Sequence, residues 1–457
     1  MSDPYGLFFQ HVLHPSWEGG IRRRPTLRHL KRLERTQWCS LDELQAIQEA
    51  ELGKLLAHAW RNVPHYRRQF DKAGVAPGDM TRLEDLAKLP LLTRAEAAGN
   101  FAARKSTASP LPVIGKMTSG TTGSPLAFAY DAGSEYWRQA TKLRGYAWAG
   151  YRLGDRSLHF WGTPRIDPPP LSQRLKMIVD HAIRREYYAD CTDRSEQALA
   201  RLVRDIRSLR PSVIVCYAQA GAALARYVNE NGSRDWHDIS LIAAAERLFP
   251  SDREAIARAF GSNVFETYGS REVMLIAAEC EAHEGLHISM ENLLMELIVR
   301  DDQGGERPAR PGELGEVVIT DLHNFGAPFI RYLTGDSAVA SAARRCACGR
   351  SLSRLERVEG RTVDTLRDGS GRPVSGLFFN VLFAEIAHKV RQFQVVQRRD
   401  RAIDLKIVPT SAFESSLLEQ VRNHCAKFIP GVTLRTELVS ELNPDAGGKL
   451  RVVVVES

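Results

Sequence analysis

No apolar run in the 457 residues reaches transmembrane length. The opening Met1-Ser2-Asp3-Pro4-Tyr5 lacks the basic start and apolar stretch of a secretory signal. Both absences point to a cytoplasmic protein with no membrane partner. Cysteine is scarce, at 7 residues, and is not arranged as a disulfide framework would need in such a compartment. The Gly-x-x-x-x-Gly-Lys-Ser/Thr phosphate loop is also missing. Gly115-Lys116 is followed by Met117, and Pro110 stands where the first glycine belongs. There is no internal repeat, no long low-complexity segment and no recognisable nucleic-acid module. The net charge of +7 suits anionic ligands. Its densest cluster, however, is Arg22-Arg23-Arg24 with Arg28, Lys31, Arg32 and Arg35, and these alternate with Leu27, Leu30 and Leu33. That pattern reads as the solvated face of an amphipathic helix, so nucleic acid is not expected as a partner.

What is present is the composition of a soluble globular chain, 43% hydrophobic and 26% charged, long enough for two or three domains. Helical periodicity runs from about 40 to 72 and from Tyr136 to Gly150. Strands and helices then alternate. Ser157–Trp161, Val213–Tyr217, Leu241–Ala245 and Val264–Tyr268 read as strands. Between them, 195–208, 218–229 and 251–260 read as helices, the last capped by Ser251. This alternation predicts an α/β fold with mostly parallel sheets and ligands beyond the strands' carboxyl ends. From about 286 the texture turns to β, with strands at 294–299, 315–320 and 329–332. The segment 361–457 mixes strands with a helix at 415–428, which predicts a small α+β domain after a large, multi-layered N-terminal domain of residues 1–360.

Several short motifs carry chemistry. Thr118-Ser119-Gly120-Thr121-Thr122-Gly123-Ser124-Pro125 lies between two strand-like segments and offers hydroxyls and free N–H groups that can nest phosphate oxygens. Tyr268-Gly269-Ser270-Arg271-Glu272 follows a predicted strand: a Tyr there can stack on a purine, Gly269 admits close approach of a ligand, and Glu272 can hold Mg2+. Tyr332-Leu333-Thr334-Gly335-Asp336 supplies a carboxylate able to accept two ribose hydroxyls. Asn443-Pro444-Asp445-Ala446-Gly447-Gly448-Lys449 is a flexible loop whose Lys can neutralise phosphate charge. Each motif alone also reads as an ordinary turn. Cys280, His283, His287, Cys346 and Cys348 could supply a tetrahedral Zn2+ site or be unligated thiols and imidazoles. His287 is preferred to His283 because Gly285-Leu286-His287-Ile288 reads as a strand start.

Taken in order, with Gly360-Arg361 between the last two, these motifs resemble the adenylate-forming superfamily of acyl-CoA synthetases and adenylation domains. Within it the chain is similar to the phenylacetate–CoA ligase family, including relatives linked to capsule biosynthesis. The resemblance covers nearly everything from about residue 50. It implies ATP, Mg2+ and coenzyme A as cofactors and roles for residues as follows. Thr118 to Gly123 would bind the β- and γ-phosphates, with Thr122 taking part in catalysis. Ala244, Ala245 and Glu246 would lie beside the adenine, with Tyr268 stacked on it and Gly269 and Ser270 adjoining. Glu272 would bind Mg2+, Asp336 the ribose, and Arg361 the ribose or phosphate at a hinge. Lys449 would bridge carboxylate and α-phosphate, carried by a small C-terminal domain that rotates between two half-reactions. It also tilts the cysteine cluster toward a structural Zn2+ held by Cys280, His287, Cys346 and Cys348. Two departures stand out: Leu126 replaces a common Lys, and Val363 replaces a pivot Asp or Lys, with Asp364 beside it.

The expected function is AMP-forming activation of a carboxylic acid, followed by transfer to CoA. An amide-forming ligase using an amine acceptor, and a noncatalytic nucleotide-binding scaffold, are the alternatives. Phe160, Trp161, Tyr217 and Gly269 would border an acid pocket suited to an aryl or hydrophobic acid. A homodimer is one assembly open to the chain.

Overall fold

The computed structural model describes residues 3–117, 126–161, 170–191, 195–300, 305–343, 345–361, 365–371, 373–375, 379, 383, 386, 389–429, 431–442 and 452–456. Val113–Met117 (β1) and Ala127–Asp131 (β2) pair antiparallel with Met117 opposite Ala127. The strand–loop–strand setting read from the sequence is therefore correct. Asp131 caps the helix that follows, Ala132–Trp148, by accepting the Ser134 N–H at 2.9 Å.

Ser157–Trp161 (β3), Glu186–Asp190 (β4), Val213–Tyr217 (β5), Ser240–Ala244 (β6) and Val264–Ser270 (β7) form a parallel array ordered β4-β3-β5-β6-β7. Every residue of β5 is buried, as a strand covered on both faces must be. Helices Glu196–Leu209, Ala218–Glu230 and Pro250–Phe260 close one face over Phe160, Cys216, Leu224 and Ile256. Tyr151, Val215, Ile242 and Phe265 fill the other.

The same sheet then becomes antiparallel. Met274–Glu279 (β8), Leu286–Ile288 (β9), Leu293–Arg300 (β10), Glu306–Pro308 (β11), Leu314–Asp321 (β12), Tyr332–Ala340 (β13) and Arg354–Arg361 (β14) extend it in the order β11-β10-β12-β13-β14-β9-β8-β7. The β texture expected from about 286 thus begins at β8 and continues a single twelve-stranded sheet. Three strands separate β7 from β13, a span of roughly 19 Å were the sheet flat. Yet the Tyr268 hydroxyl donates to Asp336 Oδ2 at 2.7 Å. This half must curl over on itself, which is how residues of β7 and β13 come to face one another.

Thr365–Arg367 (β15) and Pro373–Ser375 (β16) form a short hairpin. Val390–Gln397 (β17), Ile403–Pro409 (β18), Leu434–Leu438 (β19) and Val453–Val455 (β20) make a four-stranded sheet, order β19-β18-β17-β20. With helix Ser416–Phe428 it encloses its own core of Val395, Leu405, Ile407 and Val421.

Three local readings need correction. The helix expected to start at a Ser251 cap starts at Pro250, because proline's fixed φ and missing N–H suit the first helical position. The strand expected at 329–332 begins only at Tyr332, since Arg331 takes a left-handed φ of 49° and buries its guanidinium against Glu296. An isolated cysteine such as Cys39 is expected from the sequence to be a buried small apolar residue, but it is only half-buried.

One ionic cluster ties the β1–β2 hairpin to the antiparallel half. Asp131 accepts the Phe325 and Gly326 N–H groups at 2.8 and 2.9 Å. About two turns on, Arg138 bonds Ser134 Oγ at 2.9 Å and Asp321 Oδ2 at 2.7 Å, with both charged side chains 1% exposed. A buried charge stripped of its partner is costly. Asp321→Ala should therefore lower unfolding stability by about 3–5 kcal/mol in urea titration; a change within experimental error would show that the pair does not anchor the hairpin.

Candidate functional site

The candidate site is built where β6 and β7 end and β13 curls across them. Ala244 closes β6, and Ala245 follows it with a left-handed φ of 66°, a strained conformation for a residue with a Cβ. Glu246 accepts the Gln219 N–H at 3.0 Å. Its carboxylate therefore stabilises the first turn of helix Ala218–Glu230 while standing at the carboxyl end of β6. At the end of β7 the pairing with β8 slips between Tyr268 and Gly269. A Cβ on Gly269 would sit 2.2 Å from the Met274 carbonyl oxygen. Ser270 Oγ is buried and has no hydrogen-bond partner among the described residues.

Two tyrosine–carboxylate pairs face each other here. Tyr268 donates to Asp336, whose own N–H bonds Thr334 Oγ1 at 3.1 Å. Burial and the Asp336 carboxylate hold the Tyr268 hydroxyl well above the ordinary phenol range, so it remains a donor. Tyr332 donates to Glu272 Oε1 at 3.4 Å, and Arg94 Nη1 reaches the same oxygen at 3.4 Å. Burial and Glu272 likewise raise the Tyr332 hydroxyl.

Arg94 and Tyr332 were missed as site residues. Arg94 stands inside a capping box, Thr93-x-x-Glu96, which signals only a helix start. Pairing of Leu92 with Arg331 and Leu333 on the edge of β13 brings it to Glu272. Tyr332 opened a motif in which only Asp336 was given a role.

Thr118, Ser119, Gly120, Thr121, Thr122, Gly123 and Lys449 lie outside the described residues, as do Val363 and Asp364. Arg361 pairs its backbone with Asp336 across β13 and β14, and its side chain is not described. Leu126, at the point of departure from the common Lys, is buried with Phe128 and Tyr332. Of the residues expected around the acid, Trp161 and Tyr217 meet edge-to-face at 4.6 Å at the ends of β3 and β5. Phe160 is 2% exposed within the apolar layer between sheet and helices, so its environment is that of core.

The cysteine cluster assembles. Ligand atoms of Cys280, His287, Cys346 and Cys348 all lie within 4.8 Å of one another. Cys280 Sγ is 3.6 Å from Cys346 Sγ, and Cys348 Sγ is 3.4 Å from His287 Nε2. His287 Nδ1 lies 3.3 Å from the Leu352 carbonyl, which orients Nε2 toward the thiols. Burial lowers the imidazole to about 4, keeping it neutral. His283 instead bonds Glu279 at 3.0 Å, outside the cluster.

No family model matches the chain. It is 28% identical over 448 residues to a phenylacetate-coenzyme A ligase of Thermus thermophilus, covering 90% of this chain and 96% of the relative. It is 20% identical over 468 residues to Protein CapK of Staphylococcus aureus, covering 98% and 97%. The fold matches the crystal structure of 2-hydroxyisobutyryl-CoA ligase in its postadenylation state with a TM-score of 0.71 and 20% identity, over 92% of this chain and 90% of that one. The resemblance read from the motifs therefore holds across most of the chain.

The close approach at Gly269 yields a direct test. Gly269→Ala must displace the Met274 backbone, not a pliant side chain. It should cost about 1–3 kcal/mol in thermal unfolding, whereas Gly115→Ala, with open space around its Cβ, should cost little. Equal effects would show that the slip at β7 is not under steric control.

Proposed function

We propose that this protein is an ATP-dependent, AMP-forming ligase that activates a small carboxylic acid as its acyl-adenylate and transfers the acyl group to CoA. The observation that carries this reading is the convergence of Tyr268, Asp336 and Glu272 at one end of the sheet, drawn together from β7, its following turn and β13. Similarity to phenylacetate-coenzyme A ligases over most of the chain supports it.

The residues present fit ATP. Ser270 offers a buried hydroxyl with no partner among the described residues, Gly269 presents bare backbone, and Tyr268 and Asp336 supply a flat ring and a two-fold acceptor side by side. Tyr268 would lie against the adenine near Ala245 and Glu246, and Asp336 would take the ribose hydroxyls. The N–H groups of 118–123 would hold the β- and γ-phosphates, and Thr122 would donate its hydroxyl there. Glu272 offers a carboxylate oxygen suited to a hard cation, with Arg94 as its present counter-charge. Mg2+ bound there would neutralise polyphosphate charge.

A carboxylate is a poor electrophile; attack of its oxygen on the α-phosphate would displace pyrophosphate and give an acyl-adenylate, from which the CoA thiol, losing its proton, would then displace AMP to form the thioester. The protein's work is alignment and charge neutralisation, without a covalent acyl-enzyme. Lys449 would stand between the acid's oxygen and the α-phosphate. We assign residues 1–360 to the domain that binds ATP and acid, and 361–457 to a small domain that carries Lys449 and pivots near Arg361. Trp161 and Tyr217 favour a hydrophobic or aryl acid. The same reading places the protein in the cytoplasm.

The Cys280, His287, Cys346 and Cys348 set fits structural Zn2+: three sulfurs and one neutral imidazole, closed on all sides by protein donors. Zn2+ there would fasten the β8–β9 connection to the β13–β14 connection, with no position open for catalysis.

A panel of carboxylic acids should release pyrophosphate in the presence of ATP and Mg2+, with thioester formed when CoA is supplied. CoA-independent amide formation would overturn the choice of acceptor. Lys449→Ala should cut acid-dependent pyrophosphate exchange by about 100-fold or more; unchanged exchange would remove Lys449 from the first step. Elemental analysis should find about one zinc per chain. Cys346→Ser should lower the melting temperature while leaving ATP affinity intact, and the reverse pattern would contradict a structural metal.

A further inference from the structure

The helix Leu171–Arg184 buries none of its side chains among the described residues, although it connects the parallel strands β3 and β4. A crossover helix ordinarily spends its apolar stripe on the sheet. Here Leu171, Leu175, Ile178, Val179 and Ile183 are all exposed, Leu171 by 69% and Ile178 by 61%. At 3.6 residues per turn the first four fall within an arc of roughly 100°. Arg174 lies just beyond one edge of that arc and Lys176 beyond the other.

The N-terminal segment docks beside the C-terminal end of this helix. The Tyr5 hydroxyl donates to the Ile183 carbonyl at 2.7 Å, and Asp3 pairs with Arg185 at 2.7 Å. From this docked segment Leu7, Phe8, Val12, Trp17 and Ile21 stand exposed. Exposed Arg22 and Arg23 follow, with the Arg22 guanidinium 5.1 Å from the Trp17 ring. Apolar exposure on this scale marks an interaction surface.

We infer that this surface docks on an anionic lipid bilayer, with the helix Leu171–Arg184 lying in the interface plane. Charge selects this occupant over a second copy of the chain. Two such helices packed in either direction would set basic rim against basic rim. Asp180, farther from the stripe, is already paired with Arg184 at 3.0 Å. Phosphate headgroups would instead meet Arg174 and Lys176 on the two flanks of the stripe, and Arg22 beside Trp17. The expectation of no membrane partner rested on the lack of a spanning segment and of a secretory signal. Among the described residues no helix is long and apolar enough to cross a membrane, but a helix lying in the interface needs no such length. The inference is independent of the ligase reading.

Full-length protein should sediment with vesicles containing phosphatidylglycerol, less so as salt is raised, and poorly with phosphatidylcholine alone. The combined variant Leu175→Ser, Ile178→Ser and Val179→Ser keeps every charge and touches no core. It should lose at least about tenfold in partitioning with an unchanged melting temperature. Equal binding by this variant would reduce the effect to general attraction by a basic protein, and no sedimentation with either vesicle would refute the inference. A wild-type dimer that the variant splits, with no vesicle binding, would assign the surface to a second copy.

Discussion

The candidate site depends on one geometric constraint: the point where a parallel sheet turns antiparallel and closes over itself. β7 pairs parallel with β6 on one side and antiparallel with β8 on the other. A parallel strand's carboxyl end is already the place where such sheets leave room for ligands. The antiparallel continuation then curls until Asp336 of β13 hydrogen-bonds Tyr268 of β7. Neither half alone would bring those two side chains together. The register slip at Tyr268–Gly269 lets β7 bend at this seam, and the missing Cβ at position 269 leaves space for the Met274 carbonyl.

Buried charge fixes the surroundings of the seam. Asp131 holds two backbone N–H groups of the 325–326 turn while Arg138 reaches Asp321, so the base of the β1–β2 hairpin is tied to the antiparallel half. Nearby, Arg144 bonds Glu291 at 2.7 Å, and Thr36 bonds the same carboxylate oxygen at 2.7 Å. These pairs are weak sources of net stability, since desolvation offsets most of their attraction. Their directional bonds do restrict how helix Ala132–Trp148 can lie on the sheet. Farther out, the Cys/His cluster is braced by Arg350, which bonds Gln37 at 3.1 Å and Glu281 at 2.9 Å.

Much of the parallel half was legible because its strands are short apolar runs bounded by polar turns, as in Val213–Tyr217. The cysteine cluster was legible from residue type, and the strand-like setting of His287 separated it from His283. What escaped has physical reasons. Helix Leu171–Arg184 carries a helical apolar pattern but no burial, so periodicity alone did not distinguish it from a connection. The strand β8, Met274–Glu279, lies after the Tyr268–Glu272 motif and before the point, about 286, from which β texture was expected. Arg331 reads as a strand residue until its left-handed φ is seen. Arg94 reaches Glu272 through 178 positions of chain, a pairing made by the curl and not by any local pattern.

Glu272 shows how the electrostatics of the seam fit a two-state site. A buried carboxylate is costly without a counter-charge. Glu272 has one in Arg94 and a hydrogen bond from Tyr332. Tyr332 is held in its protonated form by burial and by that same carboxylate, so it can donate whichever cation is near. Arg94 retains about a third of its side-chain exposure, at 30%, whereas Glu272 retains 9%. On the proposed reading, a cation bound at Glu272 would take over the counter-charge that Arg94 now supplies, with the more exposed arginine as the partner that gives way. The carboxylate and tyrosine would stay fixed while one positive charge replaces another.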